Sequence, residues 1–382
     1  MTDEKPETDA ERVVGEPADH EPAVAQPAAG EASVTSFRRF ATVVCVVGVL
    51  VQLLLTAYYL GMGHKAAPHD LPVGLVAGGE QRESITALLE QDGVFEVVDY
   101  ASADVLTTAI TEREVYGGVD VTGSEPVLYV AGAAGTSAAS LLRSTYTGVM
   151  QQQKAKQLAQ AGDTIGVAAA QSLIATPKVV DVVPLPADDV NGVSLGFLTQ
   201  ALSLGGTIAS MGLGRLIPRT RRSWRRGVAH LATLILYAVG SAAAVLWSMT
   251  WFGVGEGADR VEMLCIFSLI SLAVTGSTAG AVALVGPAGA LVGAFYFTIG
   301  TVISGASILP EFLPVFGREL GEHLPTGAGV QAVRDNLYFP DAPIGSHLTV
   351  LVLYAAIGCL IVLITNILPN RTDRTSEVDL GL

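Results

Sequence analysis

The stretch Arg215-Leu-Ile-Pro-Arg219-Thr-Arg221-Arg222-Ser-Trp-Arg225-Arg226 holds six arginines and no acid, and long apolar runs flank it on both sides. Dense arginine between two membrane-length segments reads as a cytoplasmic loop, because positively charged loops stay on the cytoplasmic side. Such a loop also lies against anionic lipid. Once it is placed inside, every other segment of the chain acquires a side.

Composition agrees with a membrane setting. Half of the 382 residues are hydrophobic, 15% are charged, and the mean hydropathy is +0.48; an average soluble domain carries about 25% charged residues. Much of the net charge of −14 sits in residues 1–36, where Lys5 and Arg12 are the basic residues. That acidic, Pro/Ala-rich, aromatic-free tail cannot bury enough apolar surface to fold and is expected to be a disordered cytoplasmic tail. The charge balance gives no reason to expect nucleic acid as a partner. Cys45, Cys265 and Cys359 all fall in apolar runs, so no disulfide framework or zinc site is expected.

Taken in order, Arg38 and Arg39 precede an apolar run from Phe40 to Met62. It is long enough for a hydrocarbon core of about 30 Å, and it reads as an uncleaved anchor with the N-terminus inside. Residues 37–62 are thus the first transmembrane helix. Residues 63–192 read as an extracytoplasmic α/β domain. Its expected strands are 71–76, 94–98, 115–119, 127–130 and 178–183, and its expected helices are 84–90, 102–111 and 136–165. Residues 193–370 read as five further transmembrane helices, at about 193–213, 228–252, 263–284, 288–308 and 346–368. Met263 to Ile308 is 46 residues without a charge, the length of two crossings, and Gly286-Pro287 marks the turn between them. Residues 309–344 are too polar to cross and too apolar for a plain loop, so they lie at the interface or re-enter. Residues 371–382 form a cytoplasmic tail. Six crossings return the C-terminus to the cytoplasm, in agreement with each arginine cluster.

The chemistry is sparse. None of the five lysines stands in a GxxxxGK[ST] phosphate loop, and HExxH, CxxC and GxSxG are absent. No catalytic, cofactor-binding or metal-ligating residue is nominated, no cofactor is expected, and the chain does not read as an enzyme. No Asp, Glu, Lys or Arg sits in the central turns of the expected crossings, which argues against a self-powered ion-coupled transporter. Mild polar residues such as Gln52, Gln200, Ser268, Ser271, Thr275, Ser277 and Thr278 suit helix–helix hydrogen bonds. Gly276/Gly280 and Gly289/Gly293 each make a GxxxG for close backbone approach. One span, an external domain and five more spans, with no motor, is a layout for a membrane subunit that depends on a partner.

Four segments carry a resemblance: His69-Asp-Leu-Pro-Val-Gly-Leu-Val76; Arg113-Glu-Val-Tyr-Gly-Gly118 with Leu128-Tyr-Val-Ala-Gly-Ala133; Asp188-Asp-Val-Asn-Gly192; and Leu324-Pro325-Thr-Gly-Ala-Gly-Val-Gln-Ala-Val-Arg334. In order and membrane placement these are similar to YhgE/Pip-like bacterial membrane proteins, grouped with the permeases of type-2 ABC exporters. The resemblance spans residues 37–370. It implies a bacterial plasma-membrane protein, a homo- or heterodimer, a separate ATPase subunit, and export of a hydrophobic or amphipathic substrate. Many members carry a longer, coiled-coil external region; the compact one here argues against adhesion or phage-receptor roles. On this reading the arginine loop, Arg215, Arg219, Arg221, Arg222, Arg225 and Arg226, sets topology and offers a surface to the ATPase. Leu324, Pro325 and Arg334 mark the family-like segment before the last helix. The alternative function is a non-transport scaffold or secretion and envelope assembly protein, binding partners through its external domain.

Overall fold

The structure is a computed structural model that describes residues 29–64, 66–91, 93–123, 125–161, 178–213 and 223–367. The chain divides into two compact units, Met1–Tyr58 and Tyr59–Leu382. The first unit is dominated by helix α1 (Ala29–Gly63), which ends in the second. Its apolar side chains from Val43 to Leu54 are exposed on all sides, with Val49 69% and Leu54 67% accessible. A helix that is hydrophobic all round needs an apolar medium. Residues 29–36, assigned to the disordered tail from sequence, belong to this helix. Extending an existing helix fixes one residue per bond and avoids the cost of a new nucleus. Residues 1–28 of the expected tail lie outside the described residues.

The second unit begins with the α/β domain. Strand β1 (Leu71–Val76) runs parallel to β2 (Phe95–Asp99) and to β3 (Gly117–Asp120). Strand β4 (Val127–Val130) returns antiparallel to β3 and pairs in parallel with β5 (Lys178–Asp181), giving the order β2-β1-β3-β4-β5. Helices α2 (Gly79–Glu90) and α3 (Ala103–Thr111) make the crossovers between the parallel strands, and α4 (Thr136–Ala161) follows β4. Ser102 caps α3 by accepting from the Val105 N–H at 3.3 Å. The core is built from Leu71, Val73, Leu106, Ile110, Leu128 and Val130, each at most 3% exposed. Gly118 lets α3 lie close on the sheet: a Cβ there would collide with the Gly74 carbonyl and sit 2.8 Å from Leu106.

The helical body contains α5 (Ser194–Leu213), α6 (Trp224–Trp251), α7 (Arg260–Val285) and α11 (Gly345–Ile367). Among the described residues, four helical stretches are long and apolar enough to cross a membrane: Ala41–Gly63, Trp224–Trp251, Arg260–Gly300 and Gly345–Ile367. They keep large apolar side chains on the outside, Leu236, Leu284, Leu353 and Ile357 among them, where a water-soluble bundle would carry charges. This is a helical membrane protein. Helix α5 has the length of a crossing, but Thr199, Gln200, Ser203, Thr207 and Ser210 dilute its apolar character. Two of its hydroxyls are used internally: Thr207 Oγ1 donates to the Gly293 carbonyl at 3.1 Å and Ser210 Oγ to the Thr275 carbonyl at 3.1 Å.

The long uncharged run breaks where Gly286 adopts φ 74°. Gly286–Gly289 is a short 3-10 turn carrying Pro287 in its first turn. A Cβ on Gly289 would run into the backbone of Ala281 and Val282, so the turn folds back onto the end of α7. The return is shorter than the helix expected over 288–308. Helix α8 (Ala290–Phe295) gives way to a π-helical turn at Tyr296–Gly300, and residues 301–308 are unwound. Thr298, Thr301 and Ser304 hydroxyls donate back to the carbonyls of Ala294, Phe297 and Thr301 at 2.6–2.7 Å; such back-bonding competes with helix geometry.

The segment expected at the interface or re-entering, 309–344, is folded. It forms α9 (Val315–Glu322) and α10 (Pro325–Tyr338). All residues from Pro325 to Asn336 are buried. Fourteen helical residues span only about 21 Å, so α10 is an enclosed rod too short to cross, packed on α5, α7 and α11. The α7–α11 contact uses small residues: a Cβ on Gly280 would sit 3.0 Å from the Gly358 carbonyl, and one on Gly358 would meet the Gly276 and Ser277 backbone.

Candidate functional site

The polar centre of the molecule lies where α10 meets the α/β domain. It begins at the end of α3. Arg113 N–H donates to Ile110 O at 3.2 Å and Glu114 N–H to Ala109 O at 2.9 Å, the two bonds of a Schellman stop. The residue that must turn left-handed there is usually glycine; here it is Arg113, at φ 60°. A non-glycine residue in that region is uncommon, and its side chain is the place to look for a reason.

That side chain reaches α10. Arg113 Nη1 forms an ion pair with Asp335 Oδ1, and Nη2 donates to Gln331 Oε1 at 2.9 Å. The guanidinium stands over the Phe339 ring, 5.5 Å from its centroid, within cation–π range. Asp335 is 3% exposed and also has His347 Nε2 3.7 Å from its second oxygen. Gln331 Oε1 accepts a second guanidinium bond, from Arg334 Nη1 at 3.0 Å, and Arg334 Nη2 donates to the Gly305 carbonyl at 2.7 Å. The unwound segment after α8 therefore has a carbonyl satisfied by a side chain of α10, as buried non-helical backbone requires. Gly305 has φ 84°, and a Cβ on it would strike Gln331 Nε2.

Apolar contacts follow the same path. Leu309, Phe312 and Phe339 join the buried core of the α/β domain, with Ile308 and Tyr338 packed against it. His69 N–H donates to Glu311 O at 2.9 Å, and Tyr116 Oη donates to Glu311 Oε2 at 2.7 Å. Burial first, and then the Glu311 carboxylate, push the Tyr116 phenol well above its ordinary value, so it stays protonated and donates. Sheet, unwound segment and α10 thus share one polar and apolar junction.

Of the residues nominated from sequence, Arg334 lies in this cluster. Leu324 is the extended residue before α10 and Pro325 is its first residue, where a missing N–H costs nothing. The two shape the start of the rod and do not touch the charges. Arg225 and Arg226 open α6 on an exposed face, with Arg225 6.0 Å from the Trp224 ring centroid. Arg215, Arg219, Arg221 and Arg222 lie outside the described residues. No family model, curated protein or solved structure matches the chain. Sequence reasoning nominated none of Asp335, Glu311 and His347, and quoted Arg113, Tyr116 and Gln331 only as parts of motifs. The available signal was the adjacent pair Arg334-Asp335 in an otherwise uncharged helix. Among the described residues no three His, Cys, Asp or Glu side chains converge as a metal site. What the cluster does is hold the α/β domain and α10 in one register.

Proposed function

We propose that the chain is a permease-like subunit of an ABC-type exporter, moving a hydrophobic or amphipathic substrate with a separate ATPase subunit. The observation that carries this reading is the buried junction in which Arg113 of the α/β domain pairs with Asp335 on α10, beside an unwound helix. Broken helices beside enclosed polar groups are typical of proteins that change access across a membrane. Movement of the external domain would reach α10 and the 301–308 segment through that junction. The chain itself has no phosphate loop, so the work would come from a partner.

In this proposal α5 and the 286–308 return count as crossings. The chain then spans the bacterial plasma membrane six times with both termini cytoplasmic, the α/β domain outside, and two such subunits, or one and a relative, form a dimer. The ends of α6 support that orientation. Trp224 lies beside the arginines, and Trp247 and Trp251 stack edge to face at the other end, ring centroids 5.1 Å apart. The 28 residues of α6 at about 1.5 Å each cover about 42 Å, the bilayer with its interfaces, where tryptophan concentrates.

The test is affinity capture of the full chain from native membranes, with and without Arg225→Ala and Arg226→Ala. Repeated recovery of one nucleotide-binding subunit, weakened by the double variant, supports the exporter reading. Repeated recovery of envelope or secretion proteins and no ATPase replaces it with the scaffold reading. Topology is checked by cysteine labelling: a cysteine at Ser223 labels from the cytoplasmic side and one at Thr122 from the outside, and the reverse pattern overturns the orientation.

A further inference from the structure

We infer that the groove between the end of α6 and the start of α7 is a binding site for one phospholipid with an ethanolamine headgroup. The groove holds about 330 Å³ of empty space, open solvent included, and Leu246, Met249, Thr250, Val254, Arg260 and Met263 are among its walls. The inference rests on the membrane setting of these two helices. It is independent of transport and of which leaflet this end of the bundle faces.

The depth and polarity of the groove match those of a lipid. Helix α6 stops at Trp251 and α7 starts at Arg260, each the end of a stretch long and apolar enough to cross a membrane. The mouth of the groove therefore lies at headgroup level. Trp247, Trp251 and Phe252 are exposed beside it, and tryptophan concentrates at that level. Leu246 lies about 7 Å below Trp251 along the helix, so the walls turn apolar toward the hydrocarbon. Leu246, Met249, Val254 and Met263 share one apolar cluster with Val333 and Leu337 of α10. The floor is close-packed: a Cβ on Gly255 would sit 3.0 Å from Met249 and 3.1 Å from Leu337. An acyl chain entering the groove meets a surface that is already formed.

Charge selects the headgroup. Arg260 stands in the first turn of α7, the end of a helix that disfavours a cation. Among the described residues it forms no ion pair. The neighbouring Asp259 carboxylate is engaged by the N–H groups of Val261 and Glu262, at 2.8 and 3.1 Å. An unpaired guanidinium at the mouth of an apolar groove suits a phosphate diester. Glu256 lies in the same loop, between the wall residues Val254 and Arg260, and it too has no ion pair among the described residues. Glu256, Asp259 and Glu262 leave this segment net negative despite Arg260, so a purely anionic headgroup is repelled. A phosphate on Arg260 with a primary ammonium on Glu256 answers both charges. Choline fits less well, because its quaternary nitrogen has no N–H to donate to a carboxylate, which only accepts.

The experiment is native mass spectrometry of the full chain, released from detergent after equilibration with an equimolar mixture of phosphatidylethanolamine, phosphatidylglycerol and phosphatidylcholine of identical acyl chains. The expected result is one phosphatidylethanolamine retained per chain, preferred roughly tenfold over each of the others. Arg260→Gln and Glu256→Gln should each lower that retention roughly tenfold. Both side chains are exposed, so neither variant disturbs the core. Thr250→Trp fills the groove without changing its charge and should abolish the retention. Equal retention of the three lipids means an unselective boundary layer and overturns the inference. Preferred retention of phosphatidylglycerol or phosphatidylcholine overturns the headgroup assignment. A preference for phosphatidylethanolamine that survives Arg260→Gln, Glu256→Gln and Thr250→Trp undiminished places the lipid elsewhere and overturns the site.

Discussion

Two contacts within the second unit are made of opposite materials. Helix α7 meets α11 where Gly276 and Gly280 face Gly358, with backbone against backbone. Helix α10 meets the α/β domain through Arg113, Asp335, Gln331 and the Phe339 ring. The first contact works by leaving side chains out. In an apolar medium there is no hydrophobic drive between helices, so close van der Waals approach is what remains. The second contact works by placing charges in one fixed arrangement. It gains little net stability, because both ions lose their water. It does reject every other register, since a slipped α10 would strand two buried charges. The glycine seam builds the body, and the ionic junction decides where the α/β domain sits on it.

The sharpest way to break this contrast is to remove one half of the ion pair. Asp335→Ala leaves Arg113, only 15% of whose side chain is exposed, facing Gln331 and a ring. Removing one partner of a buried pair costs about 3–5 kcal/mol. The expected outcome is a large fall in resistance to denaturant in detergent or nanodiscs, together with faster proteolysis at the junction between the α/β domain and α10. Replacing both partners, as Arg113→Met with Asp335→Leu, should restore most of the stability. If the pair sets register, the double variant still shows faster proteolysis at the junction between the α/β domain and α10. A double variant that is as unstable as Asp335→Ala would mean the pair is a stability element after all.

The glycine seam should respond to addition, not removal. Gly358→Ala puts a Cβ into the Gly276–Ser277 backbone, and the helices must separate along their whole contact. Overpacking of this kind costs about 1–3 kcal/mol. It should lower the stability of the helical body while leaving the Arg113–Asp335 junction intact, read as unchanged protease protection of the α/β domain. Coupled loss of both would mean that the two contacts are one cooperative unit.

The difference between the contacts also explains what the sequence could reveal. Strands β1 and β4 were legible as short apolar runs, 71–76 and 127–130, of the length of a buried strand. Four helical stretches long and apolar enough to cross were legible because the bilayer sets that length. Both GxxxG pairs were legible as packing sites, and Gly286-Pro287 as a turn. Helix α10 was not. It is enclosed on every side, with twelve of fourteen residues buried, so it has no polar face and no 3.6-residue stripe. Polar residues within a short apolar stretch read as an interfacial loop. The unwinding after α8 was written in Thr298, Thr301, Ser304 and Gly305, but the absence of charge was the louder signal and suggested a full crossing. Arg113 hid for another reason: a Schellman stop without glycine leaves no mark in the sequence.

That last point yields the smallest and cleanest measurement. Arg113→Ala and Arg113→Gly delete the same side chain and leave Asp335 equally exposed to desolvation. They differ at the backbone, where φ is 60°. An alanine still bears a Cβ against the following carbonyl, at about 1–2 kcal/mol, whereas glycine takes that conformation freely but loses more chain entropy on folding. The glycine variant should therefore exceed the alanine variant by about 1 kcal/mol in denaturant unfolding, with equal loss of the junction's protease protection. If the two are equally stable, the backbone at 113 is not strained, and the arginine stands there without opposing the helix stop. If glycine wins by the expected margin, the fold keeps a strained arginine in place of a relaxed glycine for the one thing glycine lacks, a guanidinium that reaches Asp335.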